Sequence, residues 1–209
     1  MAFADIDPQA TYTINGEETT DWKNISGDAP LHVTFTANAS SLDAGAAIEW
    51  HINHRTSGTS LTRYEENFEH VFTEAGITEV ALYVRQDNEL IDSSKIEITI
   101  SESHLEMPND FSPNDDGIND FYQAKTNYKS IVSFHAYIFN RWGQKLYEWT
   151  DWTDEKSGWD GTFHGSPVKD GVYYVLVKAR GADGREYNIR RDVNLLRRFN
   201  ETTVGGSNE

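Results

Sequence analysis

Apolar and polar residues alternate with period two in several short runs of the first hundred residues. Leu31-His32-Val33-Thr34-Phe35-Thr36-Ala37 follows the pattern, as do Ile48-Glu49-Trp50-His51-Ile52 and Val80-Ala81-Leu82-Tyr83-Val84. Lys95-Ile96-Glu97-Ile98-Thr99-Ile100 is the cleanest case. Successive side chains of an extended strand point to opposite faces, so each run predicts a strand with one buried and one wet face. Turn chemistry separates the runs: Gly27-Asp28-Ala29-Pro30, Leu42-Asp43-Ala44-Gly45, Ser57-Gly58 and Glu74-Ala75-Gly76. No sustained helical period appears. About seven short strands in roughly 100 residues predict an immunoglobulin-like β-sandwich.

The pattern changes at residues 111–122, where Pro113, Gly117, two Asn and three Asp lie between aromatic residues. Pro fixes one backbone angle, Gly permits positive φ, and Asn and Asp fold back onto their own amides. This predicts a tight, ordered loop clamped at both apolar ends onto a core. A largely apolar run follows at 130–139. Asn140-Arg141-Trp142-Gly143 supplies a turn with Gly143 left-handed, and 144–149 returns as the second strand of a hairpin. Glycine turns recur at Gly158-Trp159-Asp160-Gly161 and Lys169-Asp170-Gly171. Residues 172–179 then form a β-rich strand, Ala182-Asp183-Gly184 turns it, and 187–196 pairs back. The expected architecture is all-β: two immunoglobulin-like β-sandwich domains in tandem. The expected bounds are 5–104, 105–199 and a flexible tail, 200–209. A short joint at 105–110, stiffened by Pro108, restricts motion between the two.

Acidic residues outnumber basic ones 34 to 18, which argues against a nucleic-acid backbone as partner. The imbalance is uneven: 18 acids and 5 bases up to His104, then 16 and 13 beyond it. The chain contains no cysteine, so no disulfide, thiolate ligand or thiol nucleophile is available. It has no apolar run of the length that spans a membrane. Met1-Ala2-Phe3-Ala4 lacks the basic and apolar regions of a signal peptide. An exported protein with this start would be a fragment lacking its leader.

Two family resemblances follow from ordered residues. Residues 29–37, 48–50, 69–76 and 80–84 resemble a PKD-type sandwich. The family's Gly-Asp-Gly turn is replaced here by Asn53-His54-Arg55-Thr56-Ser57-Gly58. Such modules are usually spacers or adhesion units. Four motifs downstream are Phe111-Ser112-Pro113-Asn114-Asp115-Asp116-Gly117-Ile118-Asn119-Asp120, Ile138-Phe139-Asn140-Arg141-Trp142-Gly143-Gln144, Gly158-Trp159-Asp160-Gly161 and Asp170-Gly171-Val172-Tyr173-Tyr174. In this order they resemble the gliding-motility-associated C-terminal domain, the type B sorting domain of the type IX secretion system. The resemblance implies the end of a surface protein of Bacteroidetes. It also implies passage through the periplasm and outer membrane to the cell surface or the exterior. The implied partners are the secretion machinery and a membrane-anchored protein of that system. Leu195-Leu196-Arg197-Arg198 resembles the family's final strand, although further residues follow it.

Several clusters admit two readings. Asn114, Asp115, Asp116, Asn119 and Asp120 offer hard oxygens around a glycine, as calcium requires, but without EF-hand spacing. Asx-turns capping backbone amides are the alternative. Arg141 and Trp142 form either a partner contact or a structural cation–aromatic pair, with Asp160 as another candidate partner for Arg141. Trp149, Trp152 and Trp159 suit a sugar-binding surface or a sandwich plug. Arg185, Arg190, Arg191, Arg197 and Arg198 make the last hairpin basic, for steering an acidic partner or for protecting a sheet edge. The seven histidines show no zinc spacing and no nucleophile elbow appears. The expected function is therefore a binding one: a monomeric, non-catalytic secretion signal. An adhesin binding glycans or another surface protein is the competing expectation.

Overall fold

The structure, a computed structural model, describes residues 6–14, 16–39, 45–154 and 156–197. The expected tail at 200–209 lies outside the described residues. Every regular element among them is a β-strand. The chain divides into two compact units, Met1–Ser103 with Ala182–Gly184, and His104–Gly181 with Arg185–Glu209.

Among the described residues the first unit holds nine strands: β1 Gln9–Ile14, β2 Glu17–Asp21, β3 Asn24–Gly27, β4 Leu31–Thr36, β5 Ala47–His54, β6 Ser60–Arg63, β7 Asn67–Phe72, β8 Gly76–Gln86 and β9 Glu89–Ile100. They form two sheets, ordered β2-β1-β4-β7 and β3-β9-β8-β5-β6. The period-two reading of β4 is realised: Leu31, Val33 and Phe35 are buried while His32 and Thr34 face water. Phe35 on one sheet meets Trp50 on the other, with ring centroids 5.8 Å apart. Trp50 is fully buried, and its Nε1–H donates to the Glu65 carbonyl at 3.1 Å, so the indole's polar atom is satisfied inside the core. None of the described Asp or Glu residues of this unit is buried.

The second unit holds β10 Asp110–Phe111, β11 Ile131–Phe139, β12 Lys145–Trp149, β13 Thr162–Phe163, β14 Ser166–Pro167, β15 Gly171–Gly181 and β16 Glu186–Leu195. Five of them form one sheet, ordered β10-β16-β15-β11-β12, and β13 pairs with β14. The hairpins expected at 130–149 and 172–196 are the β11–β12 and β15–β16 pairs. All-β architecture with two tandem sandwich units therefore holds. Beyond the five-stranded sheet, the described strands of this unit are only the short pair β13 and β14. Loops carrying Tyr122, Ala124 and Trp159 pack into the core that the sheet's buried residues line, beside Phe111 of β10. Tyr122 and Trp159 bridge to each other through their backbones, at 2.8 and 3.1 Å. Leu105 and Met107, read as a joint, are buried in this core. Their alternation with Glu106 and Pro108 is a strand-like pattern that a linker would not need.

Candidate recognition site

Aromatic packing fixes the frame of the site. Trp159 is fully buried. Its ring lies 5.0 Å from that of Tyr173 in an edge-to-face arrangement and 5.4 Å from Phe111. Its Nε1–H donates to the Thr162 carbonyl at 2.7 Å. Tyr122 donates its hydroxyl to the Pro108 carbonyl at 3.0 Å. Burial pushes the Tyr122 phenol pKa well above its ordinary value, with Arg191 opposing, so the group stays a neutral donor. Burial likewise raises Tyr173; Arg197 opposes the shift and Asp170 adds to it. Trp149 is buried in the core of the unit and Trp152 is half-buried against it.

The Asx-rich loop is built around Asp120. One of its carboxylate oxygens accepts from the amides of Asn114 and Asp115, at 3.0 and 2.8 Å, and the other accepts from Gly117 at 2.8 Å. Asp116 accepts from the Ile118 amide at 2.9 Å, and Asn114 accepts from the Asp116 amide at 3.1 Å. Asn119 contributes its carbonyl to the Ser112 amide at 2.9 Å and, like Asp115, sits at positive φ. These oxygens are turned inward onto the loop's own backbone, the Asx-turn arrangement. Among the described residues no three or more His, Asp or Glu side chains gather as a metal ion would require.

Arg197, just past β16, ties together the loop at Gly161 and the loop at 168–170. Its guanidinium donates to the carbonyls of Val168 and Gly161, the latter at 2.6 Å, and reaches Asp170 at 3.3 Å. A side chain at Gly161, which has φ +76°, would meet this guanidinium and Pro113, so glycine is required where the loop passes. Arg191 donates to the Met107 carbonyl at 2.7 Å. Both groups are thus occupied within their own unit. Arg190 is exposed and touches Asn188 at 3.3 Å. Arg198 lies outside the described residues.

The β11–β12 turn differs from the other motifs. Asn140 accepts from the amides of Trp142 and Gln144, both at 3.0 Å, and its own amide donates to the Gln144 carbonyl at 3.0 Å. Gly143 adopts φ +79°, as expected. The turn is therefore rigid, yet it holds Trp142 in water at 75% exposure. Arg141 stacks over that ring at 4.2 Å, and Asp160 instead accepts from Thr162 at 2.9 Å. Beside the turn runs a groove of about 390 Å³ walled by Trp142, Leu146, Phe163, Val168 and Val172, with Lys169 at its rim. Sequence reasoning singled out Arg141 and Trp142. It missed Phe163, Val168 and Lys169, which β13, packed beside β12, and the loop from β14 into β15 bring to the groove.

Three of the four motifs thus meet in one core, and the fourth projects from it as a rigid tip. Residues 105–190 match the CHU_C type IX secretion signal domain. The signal-domain match takes in the Asx-rich loop, the tip and the aromatic plug, and includes no residue of β1–β9. No curated protein matches the chain. Among solved structures the chain is similar to the tetra-tandem repeat in the extending region of a large adhesion protein, at 11% identity and a TM-score of 0.32, covering 92% of this chain and 57% of that one. It is similar to dimeric latent PorU from Porphyromonas gingivalis at 11% identity and a TM-score of 0.30, covering 91% and 20%. A third is SGBP-B of the Bacteroides ovatus mixed-linkage glucan utilization locus, in complex with a mixed-linkage heptasaccharide. It has 11% identity and a TM-score of 0.31, covering 84% and 44%. The chain spans little more than half of the first of these structures and less of the others.

Proposed function

We propose that residues 105–199 are a type B sorting domain, a folded address that the type IX secretion machinery and a membrane-anchored partner grip by protein–protein binding. The domain carries whatever precedes it through the periplasm to the cell surface or the exterior, and residues 5–104 act as a PKD-like spacer. The mechanism is recognition, not chemistry. The observation that carries the reading is the match of residues 105–190 to the signal-domain family. An exposed indole on an otherwise rigid turn supports it. Large aromatics and Arg dominate binding energy at protein interfaces, and a preformed turn loses little conformational entropy on capture. Arg141 and Trp142 are the contact residues of this reading, with Arg190 at its periphery. Arg191 and Arg197 hold the surface in shape.

The test is a fusion of residues 105–209 to a periplasm-directed reporter, expressed with and without the type IX machinery. The reporter is expected outside the cell only when the machinery is present. Retention in the periplasm in both strains would refute the proposal. Normal secretion of the natural protein after deletion of 107–209, together with tight binding on a glycan array, would favour the adhesin reading instead.

A further inference from the structure

Resting on the reading of the second unit as an export signal, we infer that the groove beside the tip takes an extended partner segment in which a carboxylate neighbours a large apolar side chain. The groove's walls are apolar: Trp142, Leu146, Phe163, Val168 and Val172. Its charge is basic. Arg141 and Lys169 form no ion pair among the described residues, while Asp170, the lone acid of the lining, is held by Arg197 at 3.3 Å. A basic, apolar groove on a chain of net charge −16 is a local reversal of sign. Such a reversal selects an acidic partner and repels most of the protein's own surface.

A second observation extends the surface. Val172 and Tyr174 are large apolar residues that β15 leaves 49% and 43% exposed. Register places Tyr174 opposite Phe139, the residue that leads into the tip. Val172 and Tyr174 therefore lie at the end of the sheet from which the tip and Trp142 project. An exposed apolar cluster rimmed by charge marks an interaction site. The groove supplies room for an apolar anchor, Arg141 can meet a carboxylate as a planar fork, and Lys169 adds a second positive charge.

Selection of random short phage-displayed peptides on the immobilised full chain tests the assignment. The enriched peptides are expected to place Asp or Glu beside Leu, Ile, Phe or Trp. The double variant R141E/K169E is expected to weaken their binding roughly tenfold or more, as loss of an interface anchor does. The control K178E/R180E makes the same charge change at the far end of β15, where both residues are exposed, and should leave binding unchanged. Absence of enriched peptides, a consensus without acids, or binding indifferent to R141E/K169E would overturn the inference. So would a dimer that R141E/K169E dissolves, since it would give the groove to a second copy of the chain. Failure here is distinct from failure of the export reading: peptides can seat in the groove of a domain that is not exported, and an exported domain can be read elsewhere.

Discussion

Trp159→Ala is expected to destabilise the second unit by about 3–5 kcal/mol, the usual cost of emptying a large aromatic site in a packed core. The indole touches Tyr173 and Phe111, and its ring nitrogen satisfies the Thr162 carbonyl. Removing it opens a cavity between the sheet and the covering loops and orphans that carbonyl. The surroundings cannot collapse easily. Gly158 beside it already lies so close to Tyr122 that a Cβ there would overlap the Tyr122 carbonyl oxygen. The expected readout in scanning calorimetry is a fall of roughly 15 °C or more in the melting temperature of this unit. A change of only one or two degrees would mean that the indole is not the plug described.

Arg197→Ala is expected to cost about 2–3 kcal/mol, since hydrogen bonds to a charged donor contribute more than neutral ones and their loss leaves acceptors unpaired. One guanidinium serves the carbonyls of Gly161 and Val168 and also meets Asp170. Its side chain is 23% exposed, so the ion pair with Asp170 is partly screened and the two carbonyls dominate. Arg197→Lys should recover less than half of the loss, because an ammonium cannot reproduce the planar fork. Arg190→Ala, on the exposed face of β16, should stay within about 0.5 kcal/mol. Urea unfolding of the three variants, compared at their midpoints, separates a clamp from a merely basic surface. Equal midpoints for Arg197→Ala and Arg190→Ala would place Arg197 among the surface charges.

The fold class was legible because β4, β5, β8 and β9 each bury one face, and a half-buried strand writes its period into the sequence. β2 was not legible. Glu17-Glu18-Thr19-Thr20-Asp21 is an exposed edge strand held by backbone pairing to β1, and a strand with no buried face leaves no alternation to read. The loop at 111–122 was legible for a different reason. Its Asp and Asn residues cap amides a few positions away, so the interaction is local in sequence. The groove was hidden for the opposite reason. Its walls come from the β11–β12 turn, β12, β13, the loop after β14 and the start of β15, and nothing in the spacing of Leu146, Phe163 and Val168 announces that they converge. From the sequence Arg197 reads as a steering charge or as protection of a sheet edge, because chain position shows its sign but not its partners. The three carbonyl and carboxylate acceptors lie 27 to 36 residues upstream.

Arg141 and Trp142 can be replaced without touching the core, since one is exposed and the other extends into water. The most direct measurement is therefore the export of the reporter fusion carrying R141A/W142A, taken alongside its near-ultraviolet circular dichroism. The spectrum should keep its buried-aromatic signature while extracellular reporter falls roughly tenfold or more, as expected when an interface anchor is removed. A folded double variant that leaves the cell as efficiently as the parent would contradict recognition through this tip.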